Sequence, residues 1–407
     1  MISSATGRDS AAWVRIAFAM FAVGWGANQF SPMLIVYRHE LSLSAGAVAG
    51  LFLVYALTLI PGLLIGGPAS DRFGRRPVVL PFVVLSPVAT LLLVLQPRSL
   101  ALITAGRALA GLCSGVAIGS ATAWVQELSA GDGLSARRSA LALTAGFGLG
   151  PVVAAALAQW APHPLVVPYL PHLVIGTAAA AVLWRTPAPP VPVRIRRPWP
   201  PAAVRTGKFW LAVAPAAPLV FGSVSLAIVV LPEEVTSARS LSAGFAGLMT
   251  VLSFSAGVAV QPLARRLRAV AGNAAGLCCA TAGTGLGIAA VAHSSRTLAG
   301  VAAVLLGLAY GLCLVSGLRQ AEQMASPDER GAVIACYYTV AYLGFAVPYL
   351  VDGLAAVSSR TGAFGLLTAI IAVLALWTTG YAIRSSLASP PAPEPESARA
   401  EGRPVPQ

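Results

Sequence analysis

Residues 67–77 read Gly67-Pro68-Ala69-Ser70-Asp71-Arg72-Phe73-Gly74-Arg75-Arg76-Pro77. One carboxylate stands among three arginines, and uncharged apolar runs at 46–67 and 78–96 lie on either side. Each run has the roughly 20 apolar residues that a helix needs to cross a bilayer. The segment therefore reads as a short charged loop between two membrane spans. Gly67 is expected to let helices approach closely at the membrane edge. Gly74 is expected to make the tight turn.

The same pattern of apolar runs broken by charge, proline or glycine continues along all 407 residues, of which 57% are apolar and only 10% charged. Soluble domains are about 25% charged, and one water-soluble core could not hide this much apolar surface. The expectation is an all-α membrane protein of about 12 transmembrane helices. Spans are placed at 13–36, 46–67, 78–96, 99–127, 140–160 and 165–184, then at 209–231, 242–263, 270–292, 297–325, 333–357 and 362–384. This divides the chain into an N-terminal six-helix half (1–184), a Pro/Arg-rich linker (185–208), a C-terminal six-helix half (209–384) and a Pro/Ala/Glu-rich tail (385–407) expected to be disordered. No cleavable signal pattern opens the sequence, so the run from Trp13 is expected to act as an uncleaved anchor.

The net charge of +13 does not point to nucleic acid, because the arginines sit at span ends and Lys208 is the one lysine. They read as topology signals. With both termini cytoplasmic, that side receives Arg8, Arg15, Arg72, Arg75, Arg76, Arg137, Arg138, the linker arginines, Arg265, Arg266, Arg268, Arg330 and Arg384. The outer side receives only Arg38, Arg98, Arg239, Arg296 and Arg360, while Arg107 and Arg319 stay inside spans. The four histidines, His39, His163, His172 and His293, are expected near the outer face as ordinary loop residues. The five cysteines fall in apolar runs without metal-ligand spacing and read as packing residues, so neither a metal nor a cofactor is expected. Features also recur between the halves. Gly111 and Gly115 correspond to Gly307 and Gly311, Glu127 to Glu322, and Pro151 to Pro348, at a nearly constant offset. A parallel repeat of this kind suits two halves rocking about a central site.

The pattern Gly-x-x-x-Asp-Arg-x-Gly-Arg-Arg, placed between the second and third of about twelve spans, resembles the signature loop of the major facilitator superfamily. The resemblance covers nearly the whole chain. It implies alternating access, with Gly67, Asp71, Arg72, Gly74, Arg75 and Arg76 as a gating latch. Asp71 would face the N-terminal end of the eleventh span, and Arg75 would reach Glu127 at the end of the fourth. The second-half counterpart, Gln261 to Arg268, keeps basic residues but has arginine where the aspartate would stand. The stretch Arg107-Ala-Leu-Ala-Gly111-Leu-Cys-Ser-Gly115 resembles the family's fourth-span motif, whose buried arginine is associated with proton coupling. Here the polar residue expected three positions later is Ala110, and a structural, snorkelling arginine is the other reading. Gly146-Phe-Gly148-Leu-Gly150-Pro151 resembles the fifth-span motif that the family associates with antiporters; generic helix packing is the alternative.

Polar residues near mid-membrane, Asn28, Gln29, Tyr55, Tyr310, Tyr337, Tyr338 and Tyr342, are candidates for a substrate cavity. Asp352, in the outer part of the eleventh span, is either a proton site or an outer-gate hydrogen bond. With no acid at mid-membrane, the expected substrate is a neutral or amphipathic small molecule. The functional expectation is a secondary transporter exporting such molecules in exchange for protons, as the resemblance implies; the alternatives are metabolite uptake by proton symport and a non-transporting membrane sensor. The residues hold no phosphate-binding loop and no constellation of an enzyme. The near-absence of lysine beside abundant Ala, Arg, Gly and Pro points to a GC-rich gene and a bacterial plasma membrane, with a monomer in the bilayer as the default. The topology has a direct check. A reporter that is active only in the cytoplasm should be active when fused after Lys208 and inactive after Ser294; the reverse result would invert the assignment.

Overall fold

The computed structural model describes residues 12–128, 135–186, 200–236, 239–326 and 329–387. Most of the expected linker and tail lies outside the described residues. Among the described residues there are helices and turns only, and eleven helices are long and apolar enough to cross a membrane. The long helices are α3 (Ala45–Phe73), α4 (Arg75–Leu95), α5 (Leu100–Leu128), α6 (Ser135–Trp160) and α7 (Leu170–Trp184) in the first part of the chain. In the second part they are α12 (Arg239–Ala259), α14 (Ala269–Ala292), α15 (Arg296–Met324) and α18 (Arg360–Leu387).

Three spans are interrupted. The first consists of α1 (Ala12–Asn28) and α2 (Met33–Glu40), separated by a turn. Pro32 causes the break: it has no N–H to offer the Asn28 carbonyl, which takes the Ser31 N–H instead at 3.1 Å. With 17 residues in α1, this span is not among the eleven. The seventh span comprises α9 (Gly207–Ala212), a turn, α10 (Pro218–Ser225), a π-helical turn (Leu226–Val230) and α11 (Leu231–Val235), after the short α8 (Ala202–Arg205). It reaches four residues beyond the sequence expectation and carries Glu233 and Glu234 into the span. Asp352 is therefore not alone among acids at that level. The eleventh span is α16 (Arg330–Tyr342), a 3₁₀ turn (Leu343–Ala346) and α17 (Val347–Val357).

Helices α1 to α7 pack chiefly on one another, as do α10 to α18, and the two groups meet where α6 faces α12 and where α3 faces α16 and α17. Glycine sets the close approaches. Gly111 and Gly115 seat α5 on the backbone of α3, and Gly307 and Gly311 seat α15 on α12 at Ser253 and Gly257. The glycine recurrence thus corresponds to one packing arrangement built twice.

Gly67 does not make the close approach expected of it, because a side chain there would meet nothing within 4 Å. One position earlier, a Cβ on Gly66 would lie 2.7 Å from the Val116 Cα on α5. Period 3.6 explains the difference, since Gly62 and Gly66 share the face turned to α5 and Gly67 is rotated off it. Gly66→Ala should accordingly destabilise by ~1–3 kcal/mol through overpacking, whereas Gly67→Ala should leave the thermal midpoint in detergent unchanged. Equal midpoints for the two variants would refute this assignment of faces.

Candidate functional site

Gly74 joins α3 to α4 as the only residue between them, with φ 93°, a value that an L side chain rarely adopts. The turn points the start of α4 back at α3 and α5. There the buried Arg75 donates from Nε and Nη2 to Glu127 Oε1 at 3.1 and 2.7 Å, and from Nη1 to Ser70 Oγ at 2.5 Å. Arg76 donates to the Trp184 carbonyl at 2.6 Å, tying α4 to the end of α7. Arg72 lies over the Phe73 ring at the exposed edge. The backbone of Asp71 belongs to α3, but its side chain is outside those described. In the second group, α12 and α14 are linked through α13 (Gln261–Arg266) instead. Arg319 of α15 donates to the carbonyls of Ala264, Arg265 and Leu267 at 2.9–3.1 Å, and so fixes that loop by its backbone.

Arg107 is fully enclosed. Its Nη1 donates to the Ala27 carbonyl at 3.2 Å and its Nε points to the Leu51 carbonyl at 3.5 Å. The guanidinium carbon sits 4.3 Å from the Phe30 ring centroid and 4.5 Å from that of Tyr55. A cation at span depth costs roughly 2.5–3.5 kcal/mol on insertion scales, and carbonyls and ring faces offset this here. The break in the first span makes the carbonyl available, because the Ser31 N–H, its usual partner, bonds to Asn28.

Asn28 and Gln29 turn into the first helix group. Asn28 Nδ2 donates to the Phe147 carbonyl of α6 at 2.9 Å. Gln29 Nε2 donates to Thr90 Oγ1 at 3.2 Å, and Thr90 Oγ1 lies 2.7 Å from His172 Nδ1. His172 is thus not an outer loop residue but a wholly buried one on α7, seated over Gly26, whose missing Cβ leaves room for the imidazole. Within α6, Gly146 and Gly150 lie against the α1 backbone at Phe21 and Trp25. Pro151 is buried in the same helix.

The tyrosines belong to a ring cluster spanning both groups. Tyr55 and Phe52 of α3 meet Phe345 at centroid distances of 6.0 and 5.0 Å. Phe345 in turn lies 5.0 Å from Phe221 on α10 and 5.6 Å from Tyr342 on α16. Phe221 stacks on Tyr342 at 4.3 Å with 10° between planes, and Tyr310 of α15 lies 6.4 Å from Phe221. Tyr338 packs 6.3 Å from Tyr342, and Tyr337 donates to the Cys313 carbonyl. At the far ends of the spans stands a second constellation, of whose members the sequence reading singled out Asp352 alone. Arg38 of α2 pairs with Glu233 of α11, and Arg360 pairs with Asp352 and, at 3.2 Å, with Glu234. Nearby, the Gly244 N–H donates to Gln159 Oε1 at 3.0 Å, joining α12 to α6.

These features define a polytopic helical membrane protein whose two helix groups face each other across an aromatic seam. The sequence model described as Major Facilitator Superfamily matches residues 16–225 and 213–406, and the chain belongs to that family of transporters. A curated relative, the bacillibactin exporter of Bacillus subtilis (strain 168), is 31% identical over 143 residues, which is 33% of this chain and 36% of the relative. The match therefore spans about a third of that relative's length. Among solved structures, the nucleoside transporter NupG is similar with a TM-score of 0.71 at 10% identity, covering 90% of this chain and 99% of that one. A bacterial homologue of the human lysosomal transporter Spinster, solved inward-facing and occupied, is similar with a TM-score of 0.68 at 15% identity, covering 96% and 100%. Both share the fold.

The Arg75–Glu127 pair yields a quantitative expectation. Removing one partner of a largely enclosed ion pair costs ~3–5 kcal/mol, and Glu127, at 29% side-chain exposure, should fall at the low end. Glu127→Ala should lower the thermal midpoint more than Glu127→Gln, which keeps an acceptor for the guanidinium. Equal losses would mean that the carboxylate charge, and not a retained acceptor, holds the guanidinium.

Proposed function

We propose that the protein exports neutral or amphipathic small molecules by alternating access, in exchange for protons entering the cell. The observation that carries the reading is the way the two groups are joined. Among the described residues, the side-chain contacts that cross between them, the ion pair of Arg38 with Glu233 and the hydrogen bond from the Gly244 N–H to Gln159, sit at the ends that the charge pattern places outside. Such an arrangement suits a state closed to the exterior in which the outer ends must part for release. The halves 1–184 and 209–384 are then the rocking bodies, with 185–208 as a cytoplasmic linker and both termini cytoplasmic. The protein acts as a monomer in the bacterial plasma membrane.

In this mechanism Arg75 and Glu127 keep the cytoplasmic ends of α4 and α5 together, while Asp71 engages the N-terminal end of α16 when the inner side closes. Arg107 is placed to sense movement of the first span, since it bonds to the carbonyl freed at the break. Asp352 takes part in proton coupling through the outer charge cluster, where its protonation would loosen Arg360. Export is favoured over uptake by the similarity to an exporter and by the small-residue face Gly146, Gly150 and Pro151 between α6 and α1.

The test uses energised inverted vesicles with a pH-quenched dye in the lumen and a panel of amphipathic compounds. An exported compound should make the lumen more alkaline. The Asp71→Asn variant should slow this at least tenfold, and Arg107→Ala should abolish it, each change equivalent to 1.4 kcal/mol or more in the barrier. A lumenal pH indifferent to every compound would remove proton-coupled export, and an unaltered response in Arg107→Ala would remove that residue from the coupling.

A further inference from the structure

We infer that the seam site selects solutes built on a flat aromatic ring, neutral or anionic, over saturated and cationic ones. The inference rests on the transport reading above and names the substrate class of that site. Phe52, Tyr55, Phe221, Tyr310, Tyr342 and Phe345 come from five different segments of both helix groups, and each is at least nine-tenths buried. They fill the seam with one another, in the stacked, tilted and edge-on geometries that ring quadrupoles favour. A solute entering such a site must part rings that already satisfy each other. An aromatic solute replaces each lost ring contact with an equivalent one, whereas a saturated solute of the same size restores the apolar burial but not the quadrupolar term.

Charge sharpens the selection. Aromatic faces ordinarily attract cations, but the Phe30 and Tyr55 faces are already covered by the Arg107 guanidinium. The described bonds of Arg107 run to carbonyls and not to a carboxylate, so its positive charge is not neutralised by an acid. A second cation would be repelled there, and a neutral or negative group tolerated. Polar groups for a solute hydroxyl exist on the same elements: the phenols of Tyr310 and Tyr342, and Ser223 of α10, whose buried Oγ has no hydrogen-bond partner.

The experiment uses the full chain in nanodiscs, with empty nanodiscs as the control for lipid partitioning, and three probes that share one skeleton. These are 2-naphthol, its decahydro analogue, and trimethyl(2-naphthyl)ammonium, with Kd read by equilibrium dialysis. The naphthol should bind about tenfold tighter than the saturated alcohol, as expected for one or two replaced ring contacts, and the ammonium weakest of the three. In Phe221→Leu and Tyr342→Leu the aromatic-to-saturated ratio should fall towards one, while Tyr342→Phe, which keeps the ring, should retain it and so guards against a folding artefact. Equal binding of the two alcohols, preference for the ammonium, no binding of any probe, or a ratio unchanged in the leucine variants would each overturn the inference. Transport of the same probes in vesicles separates the two claims. Aromatic-selective binding without transport would sink the transport reading and leave the site, and transport without aromatic preference would do the converse.

Discussion

Lipid offers no hydrogen bond to a guanidinium, and Arg107 obtains its shorter bond, to the Ala27 carbonyl, from a defect in a neighbouring helix. Pro32 interrupts the first span and leaves the Ala27 carbonyl without its usual donor, which, beside the Leu51 carbonyl and two ring faces, lets the chain hold a cation at that depth. The two irregularities, a charge inside the membrane and a broken helix beside it, therefore stabilise each other. Around that junction the other polar groups follow the same constraint: Asn28 reaches Phe147, and Gln29 reaches Thr90 and through it His172. Buried polar networks of this kind demand a single arrangement, since each lost bond leaves a group that the hydrocarbon cannot serve.

Between the helices the driving force is different. Lipid chains are as apolar as leucine, so helix association depends on close fit, and the fit comes from glycine. Gly62, Gly66, Gly111 and Gly115 bring α3 and α5 into backbone contact, and Gly307 and Gly311 do so for α12 and α15. The same solution in both groups leaves the seam between them free to be made of different material: aromatic rings near the middle and charged pairs at the ends remote from Gly74.

Much of this architecture is legible in the sequence, because span length and charge placement are long-range averages that survive local error. The turn at Gly74 and the Arg75–Glu127 partnership are marked by charged residues, which are scarce in a membrane chain, and the glycine recurrence by its repeated spacing, although the segment expected as a loop from Gly67 to Pro77 is helical on either side of Gly74. What the sequence conceals is rotation about a helix axis. Gly66 and Gly67 are neighbours with opposite surroundings, and His172 lies close in sequence to the connection between α6 and α7 yet is buried within its group. Phe221 and Phe345 are hidden for another reason: phenylalanine in a lipid-spanning run carries no compositional signal, so only the three-dimensional convergence distinguishes a ring of the seam from one that faces lipid. The charge cluster of Arg38, Glu233, Glu234, Asp352 and Arg360 needed the seventh helix to extend to Val235, a boundary that apolar composition alone places too early.

The α3–α4 and α12–α14 junctions of the two groups are mechanically unlike. In the first group one residue, Gly74, separates two long helices, and three arginine contacts brace the corner against α3, α5 and α7. Such an elbow has no slack, so a displacement at the foot of α3 is delivered undiminished to α4. In the second group the short α13 stands between α12 and α14 like a link in a chain, and Arg319 anchors it through carbonyls that any local sequence would present. The first group is a stiff crank and the second a compliant one. A substitution at Ser70, Arg75, Arg76 or Glu127 removes a contact of the crank, while the carbonyls that Arg319 grips remain whatever side chains stand at 264, 265 and 267.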